Sequence, residues 1–234
     1  MPEKGDFVFA PPDRPSVAIR GESARYPVRR IFCVGRNYAA HAREMGKDPD
    51  REPPFYFTKQ ADGIVASGAT VPYPPMTGNY HYEMELVVAL GAAFRVTEEA
   101  ALECVYGYAC GLDMTRRDLQ QQAKEAGRPW DTSKAFDQSA IIGDITRVAD
   151  CGHLSEGAIT LEVNGELKQS GDLSEMIWDV PETIANLSQF YHLKPGDLIY
   201  TGTPAGVGPL KPGDTLTGRI EGLGDIALAI GPPE

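Results

Sequence analysis

The stretch His81–Gly91, HYEMELVVALG, carries the clearest strand signal in the chain. Aliphatic and β-branched residues run unbroken from Leu86 to Leu90, and Gly91 closes the run. In a strand, side chains two apart point to the same face. Glu83 and Glu85 therefore share one side, while Met84 and Leu86 take the other. Two carboxylates so close repel, and each raises the pKa of the other. A divalent cation removes that penalty. A solvated strand face is the plain alternative, and the apolar LVVALG beside the pair speaks against it.

Outward from this strand the chain keeps the same texture. IFCVG (residues 31–35) reads as a short strand ended by Gly35, and NYAAHAREMG (37–46) as a helix with Asn37 as its N-cap and Gly46 as its stop. PPFYFTKQ (53–60) looks like a strand after a Pro pair. VTEEAALECVYGYACGLDMT (96–115) starts as a helix and ends as a strand near Tyr108–Leu112, and TRRDLQQQAKEAG (115–127) is a short polar helix. ITLEVNGELKQSG (159–171) holds an Asn-Gly pair between alternating runs, a hairpin signature. PETIANLSQFYHL (181–193) is amphipathic, with Pro181 suited to a first helical turn. Residues 1–30 read as an N-terminal appendage with a hairpin in SVAIRGESARYPV (16–28), and 31–234 as one catalytic domain. The fold class is α+β, β-rich, with about four short helices.

Composition narrows the function. The 234 residues are 42% hydrophobic and 24% charged, which suits a soluble globular chain. The 25 Gly and 19 Pro are dispersed, so they mark turns rather than a repeat. Asp plus Glu number 33 against 22 Lys plus Arg, a net charge of −11, which points away from nucleic acid. Cys33, Cys104, Cys110 and Cys151 form no CxxC motif. No basic start with an apolar run opens the chain, and no long apolar stretch suggests a membrane span. A cytoplasmic protein with reduced thiols is the expectation.

Several residues could carry chemistry. Asp113 ends an apolar run and could join Glu83 and Glu85 in a carboxylate set, or simply cap TRRDLQ. Carboxylates alone suit a hard cation, Mg²⁺ or Mn²⁺. His41 and Glu44 lie three apart on one helix face, as a base and its orienting acid would, or as part of a solvated surface with Arg43 and Lys47. TGTPAGVG (201–208) is a Gly-rich turn and no Walker loop. Arg116 and Arg117 could clamp a carboxylate, and Lys134 could donate to an oxyanion, although most lysines are merely solvated.

Singly these signals are weak, but their order is specific. VGRNYAAHAREMG, HYEMELVVALG, GLDMTRRDLQ, KAFDQS and LIYTGTPAGVGPLKPGD, over roughly residues 31–230, resemble the fumarylacetoacetate hydrolase family. Within it, FVFAPPDRPSVAI and PVRRIFCVGRNYAAHAREMG are similar to the branch that cleaves fumarylpyruvate in aromatic (gentisate) degradation. The resemblance implies a mixed β-sandwich roll, usually a homodimer. It implies Mg²⁺ or Mn²⁺ on Glu83, Glu85 and Asp113, with water completing the shell, and a water-activating dyad of His41 and Glu44. It puts Gln120 and Lys134 at oxyanion positions and Arg36, Asn37, Arg117 and Thr203 at substrate-binding positions. The implied activity is hydrolysis of a C–C bond in a small anionic 2,4-dioxo acid. Close rivals on the same machinery are acetylpyruvate hydrolysis, oxaloacetate decarboxylation and isomerisation of a 2-hydroxymuconate-type dienol. A non-catalytic binder is disfavoured by the complete set of site residues.

Overall fold

The computed structural model describes residues 7–39, 52–92 and 95–233. In chain order its strands begin with β1 (Ser16–Ala18), β2 (Arg25–Pro27), β3 (Arg30–Gly35), β4 (Phe55–Lys59), β5 (Ile64–Ala66) and β6 (Ala69–Tyr73). There follow β7 (Tyr80–Tyr82), β8 (Met84–Leu90), β9 (Val105–Asp113), β10 (Thr115–Arg116), β11 (Ala140–Ile142) and β12 (Thr146–Arg147). The last are β13 (Ala158–Val163), β14 (Glu166–Asp172), β15 (Asp197–Tyr200), β16 (Gly208–Pro209), β17 (Thr215–Ile220) and β18 (Ile226–Pro233).

Two mixed sheets dominate. The larger runs β4-β3-β15-β8-β9-β11-β5, with β12 also on β9. The smaller runs β14-β13-β17-β18-β6. Every residue of β8 is buried, because this strand is covered on both faces. Leu86, Val88 and Leu90 point into a core shared with Ile159, Leu161, Leu216 and Ile226 of the smaller sheet. Val87 and Ala89 point the other way, into a second core with Ile31, Cys33, Ala109 and Tyr200. The period-2 alternation thus feeds two cores at once.

The hairpin expected in residues 16–28 forms between β1 and β2. Val17, Ile19, Tyr26 and Val28 are buried in the second core, and the Tyr26 hydroxyl donates to the Leu90 carbonyl at 2.8 Å. The segment is therefore tied to the large sheet through Tyr26. Asn164 and Gly165 both take positive φ (54° and 77°), as the tight turn between β13 and β14 requires. The helix Val180–Phe190 starts on a capping box of Asp179 and Glu182, with Pro181 in its first turn.

One expectation needs correcting. HYEMELVVALG is not a single strand. It breaks at Glu83, because β7 pairs with β10 and β16 while β8 pairs with β15 and β9. The Met84 N–H leaves the ladder and donates to the Gln169 side chain at 2.9 Å. Glu83 thus stands where the chain passes from one sheet to the next.

Candidate active site

The break puts the carboxylates at the end of the large sheet. Asp113 lies opposite Glu83, its N–H donating to the Glu83 carbonyl at 2.9 Å, and Glu85 lies opposite Gly111. All three acids therefore face the side that carries Val87 and Ala109. Glu83, Glu85 and Asp113 are buried, with one oxygen from each lying within 4.8 Å of the others. Asp113 caps no helix; it closes β9.

Cations pack against this cluster. Lys134 is 1% exposed, and its ammonium bridges Glu83 Oε2 at 2.8 Å and Asp113 Oδ2 at 2.7 Å. Burial alone would lower its pKa, but Asp113 and Glu83 outweigh burial and raise it, so the ammonium stays charged. Two of its three N–H bonds are committed, which leaves one for a ligand. Arg117 donates to Glu83 Oε1 and to Gln120 Oε1, each at 2.6 Å. Gln120 thus accepts through oxygen, and its amide nitrogen is the end left to donate. Glu85 has no cation in hydrogen-bond contact among the described residues. The Gly202 N–H donates to its Oε2 at 2.8 Å. Burial first, then Asp113 and Glu83, push the Glu85 carboxyl well above the carboxylate range. A buried all-oxygen set in which Glu85 has no countercharge in contact among the described residues is what a hard divalent cation relieves.

Three supporting residues escaped the reading of the sequence. Lys59, at the end of β4, ion-pairs with Asp113 Oδ1 at 2.8 Å and donates to the Lys134 and Met114 carbonyls at 2.6 and 3.0 Å. That ion pair lacks hydrogen-bond alignment at Asp113 Oδ1, so its hold on the oxygen is electrostatic. His81 accepts from Arg117 at Nδ1 (3.4 Å) and meets the Asn79 side-chain oxygen at Nε2 (2.8 Å), a neutral tautomer. Burial, then the Arg117 charge, hold its pKa down at about 4. Gln169, fully buried, joins the Met84 N–H to the Thr203 hydroxyl and the Pro204 carbonyl. The period-2 series Phe55, Phe57, Lys59 was the available signal for Lys59, since it places the lysine on an aromatic face.

The remaining expected site residues fall as follows. Arg36, Arg117, Gln120, Lys134 and Thr203 line one cavity with Glu83 and Glu85. Asn37 does not line it. Its carboxamide donates to the Trp178 and Thr201 carbonyls and accepts from the Trp178 N–H, all at 2.8 Å. Asn37 therefore serves as a buried tie from the loop after β3 to the loop after β15 and to the turn before the helix Val180–Phe190, with both of its N–H donors committed. His41 and Glu44, and most of the expected helix 37–46, lie outside the described residues.

The C-terminal domain model of fumarylacetoacetate (FAA) hydrolases matches residues 30–230. The chain belongs to the fumarylacetoacetate hydrolase family. Fumarylpyruvate hydrolase of Ralstonia sp is 54% identical to it over 193 residues, 81% of this chain and all (100%) of that protein. The crystal structure of fumarylpyruvate hydrolase from Pseudomonas aeruginosa, in complex with Mn²⁺ and pyruvate, matches with a TM-score of 0.94 at 51% identity. It covers 97% of this chain and 100% of its own. Oxaloacetate tautomerase YcgM of Escherichia coli (strain K12) is 40% identical over 205 residues, 87% of this chain and 93% of that protein. The mixed two-sheet architecture is thus that of the fumarylacetoacetate hydrolase fold.

Proposed function

We propose that the protein hydrolyses the C3–C4 bond of an acylpyruvate, fumarylpyruvate foremost, to fumarate and pyruvate. The observation that carries this is the buried set Glu83, Glu85 and Asp113, of which Glu83 and Glu85 line one cavity with Arg117, Gln120 and Lys134. Its context adds support: 54% identity to a fumarylpyruvate hydrolase, and the likeness to the Mn²⁺ and pyruvate complex.

Glu83, Glu85 and Asp113 would hold Mg²⁺ or Mn²⁺, which when bound supplies Lewis-acid charge at the 2-oxo acid end of the substrate. The rest falls to the chain. His41, supported by Glu44, takes a proton from water at its imidazole, and the hydroxide attacks the C4 carbonyl carbon. The free N–H of Lys134 and the Gln120 amide donate to the oxyanion that develops on the C4 oxygen. Collapse breaks the C3–C4 bond with its electron pair left on C3. The proton held by His41 returns to C3, giving pyruvate, and the acyl half leaves as fumarate. Arg117 aligns Glu83 and Gln120 throughout.

The same reading makes the enzyme a cytoplasmic homodimer of aromatic catabolism, which size-exclusion chromatography with light scattering tests for the assembly. The experiment for the reaction is steady-state formation of fumarate and pyruvate by wild type, His41→Ala and Glu83→Ala proteins, each with and without EDTA. Near wild-type rates in either variant would sink the mechanism. A second reading, oxaloacetate turnover, is favoured by the 40% identity to an oxaloacetate tautomerase. Rapid conversion of oxaloacetate without cleavage of any acylpyruvate would install it instead.

A further inference from the structure

Glu85 differs from the other two acids in what holds it. Lys134 and Arg117 sit on Glu83, and Lys134 and Lys59 on Asp113. Glu85 has a single hydrogen-bond donor among the described residues, the Gly202 N–H at its Oε2. Its orientation therefore depends on where that one peptide unit points.

The Thr201–Gly202 peptide is held from two sides. The Thr201 N–H and hydroxyl both donate to the Leu86 carbonyl at 3.0 Å, on the strand that carries Glu85. The Thr201 carbonyl shares a peptide plane with the Gly202 N–H, and it accepts from Asn37 Nδ2 at 2.8 Å. The same carboxamide is set from behind. Its Oδ1 accepts from the Trp178 N–H, and its other N–H donates to the Trp178 carbonyl. Turning the carboxamide over would put its oxygen against two carbonyls, so only one orientation satisfies all three partners. One line of hydrogen bonds results: Trp178 N–H to Asn37, Asn37 to the Thr201 carbonyl, and the Gly202 N–H to Glu85. Asn37, Thr201 and Glu85 are all buried, and in such a setting successive bonds polarise and strengthen one another. Packing fixes the same parts. Gly202 takes a φ of 100°, and a Cβ there would fall 2.7 Å from Asn37 Cβ, so only glycine meets both demands.

We propose that Asn37 is a positioning residue for metal binding: acting through the Thr201–Gly202 peptide, it fixes the Glu85 carboxylate in the orientation that receives the cation. Asn37 does not line the cavity, so its effect is exerted through Glu85. The inference rests on the reading that Glu83, Glu85 and Asp113 hold Mg²⁺ or Mn²⁺, and it extends that reading to a residue behind the ligands. Partners of this kind preorganise a ligand, and losing one weakens a metal site by roughly 10- to 100-fold.

The test measures Mn²⁺ binding to the metal-stripped full-length protein, from the electron paramagnetic resonance signal of the free ion. Asn37→Ser removes the donor to Thr201. Affinity should fall roughly tenfold, the lower end of the range, because Gly202 keeps its own N–H. Thr183→Val is the control. Its hydroxyl donates to the same Trp178 carbonyl at 3.3 Å, so its loss loosens the same turn without breaking the line to Glu85. The control should bind Mn²⁺ within about twofold of wild type. Equal affinities in the two variants, whether both weakened or both intact, overturn the assignment. Wild type that binds no Mn²⁺ overturns the metal reading itself. A measurement on wild type alone guards against a variant that fails to fold. Diamagnetic Mg²⁺ should shift the proton resonances of both the Gly202 amide and the Asn37 carboxamide, because the line carries the change at Glu85 back to Asn37. An Asn37 carboxamide unmoved at saturating Mg²⁺ would also sink the proposal.

Discussion

Replacing Lys59 with methionine should destabilise the protein sharply, and the size of the loss follows from what the ammonium touches. Lys59 is 3% exposed and contacts Asp113 Oδ1, the Lys134 carbonyl and the Met114 carbonyl. Methionine replaces the aliphatic stem and removes only the charge and donors. Breaking a buried ion pair from one side costs about 3–5 kcal/mol, because the other charge stays buried. Two contacts temper this. Asp113 keeps Lys134, and the Lys134 carbonyl keeps the Ser139 hydroxyl at 3.1 Å. The lower end, about 3–4 kcal/mol, is therefore expected, or roughly 6–16 °C in Tm for a chain of this size. The assay is thermal melting by circular dichroism after EDTA treatment. Saturating Mn²⁺ should return part of the loss, since a cation on the carboxylates replaces some of the missing charge. Adding Asp113→Asn to the EDTA-treated Lys59→Met protein should raise its Tm, because it removes the excess negative charge that three acids then hold against Lys134 and Arg117. A single variant melting within about 3 °C of wild type, or a double variant no better than the single, would refute the reasoning.

Other perturbations have equally definite outcomes. Gly35→Ala drives a Cβ into the Phe55 ring, which Trp130 backs, so about 1–3 kcal/mol of stability is lost to overpacking, together with catalytic efficiency; urea titration with kinetics on the same preparation reads both. Gln169→Leu strands the buried Met84 N–H and frees the Thr203 hydroxyl, so stability falls by about 1–3 kcal/mol and kcat falls with it. Unchanged values would show that another donor serves Thr203. The carboxyl of Asp118 is held below its ordinary value: burial opposes this, but donors from Thr77, Gly78 and Leu119 prevail. A depressed folded pKa gives stability that is present above the unfolded pKa of about 3.9 and lost as pH falls through the folded value. Asp118→Asn should therefore flatten the Tm-against-pH curve below about pH 4 and leave its shape near neutrality unaltered.

Much of the fold was legible because its signals are local. The alternation in LEVNGELK predicts its own hairpin, and the β-branched run after Glu85 predicts a buried strand. The carboxylate cluster was legible for a similar reason. Glu83 and Glu85 are neighbours in sequence, and Asp113 ends the strand that pairs with theirs. Lys59 and Gln169 were opaque because each looks like a solvated polar residue in its own segment. Only pairing across the sheets brings Lys59 to Asp113, and Gln169 from its hairpin to Met84 and Thr203. The break at Glu83 was hidden for the same reason: nothing within HYEMELVVALG shows that its halves belong to different sheets. The ties of Asn37 were opaque as well, because its amide complements a loop 164 residues downstream, at Thr201.

The place of β15 in the large sheet bears on how the protein comes into being. β15 lies between β3, to which it is parallel, and β8, to which it is antiparallel. Strands near residues 30 and 84 emerge early in synthesis, yet no ladder joins them until residues 197–200 arrive. The β4-β3 pair and the β8-β9 hairpin must wait as separate pieces with open edges, a slow and non-local assembly. The Gly202 amide that steadies Glu85 follows directly behind β15. The nascent chain therefore cannot complete its acidic centre before β15 and Gly202 are made, and a chain cut short before residue 197 holds two half-sheets and no enzyme.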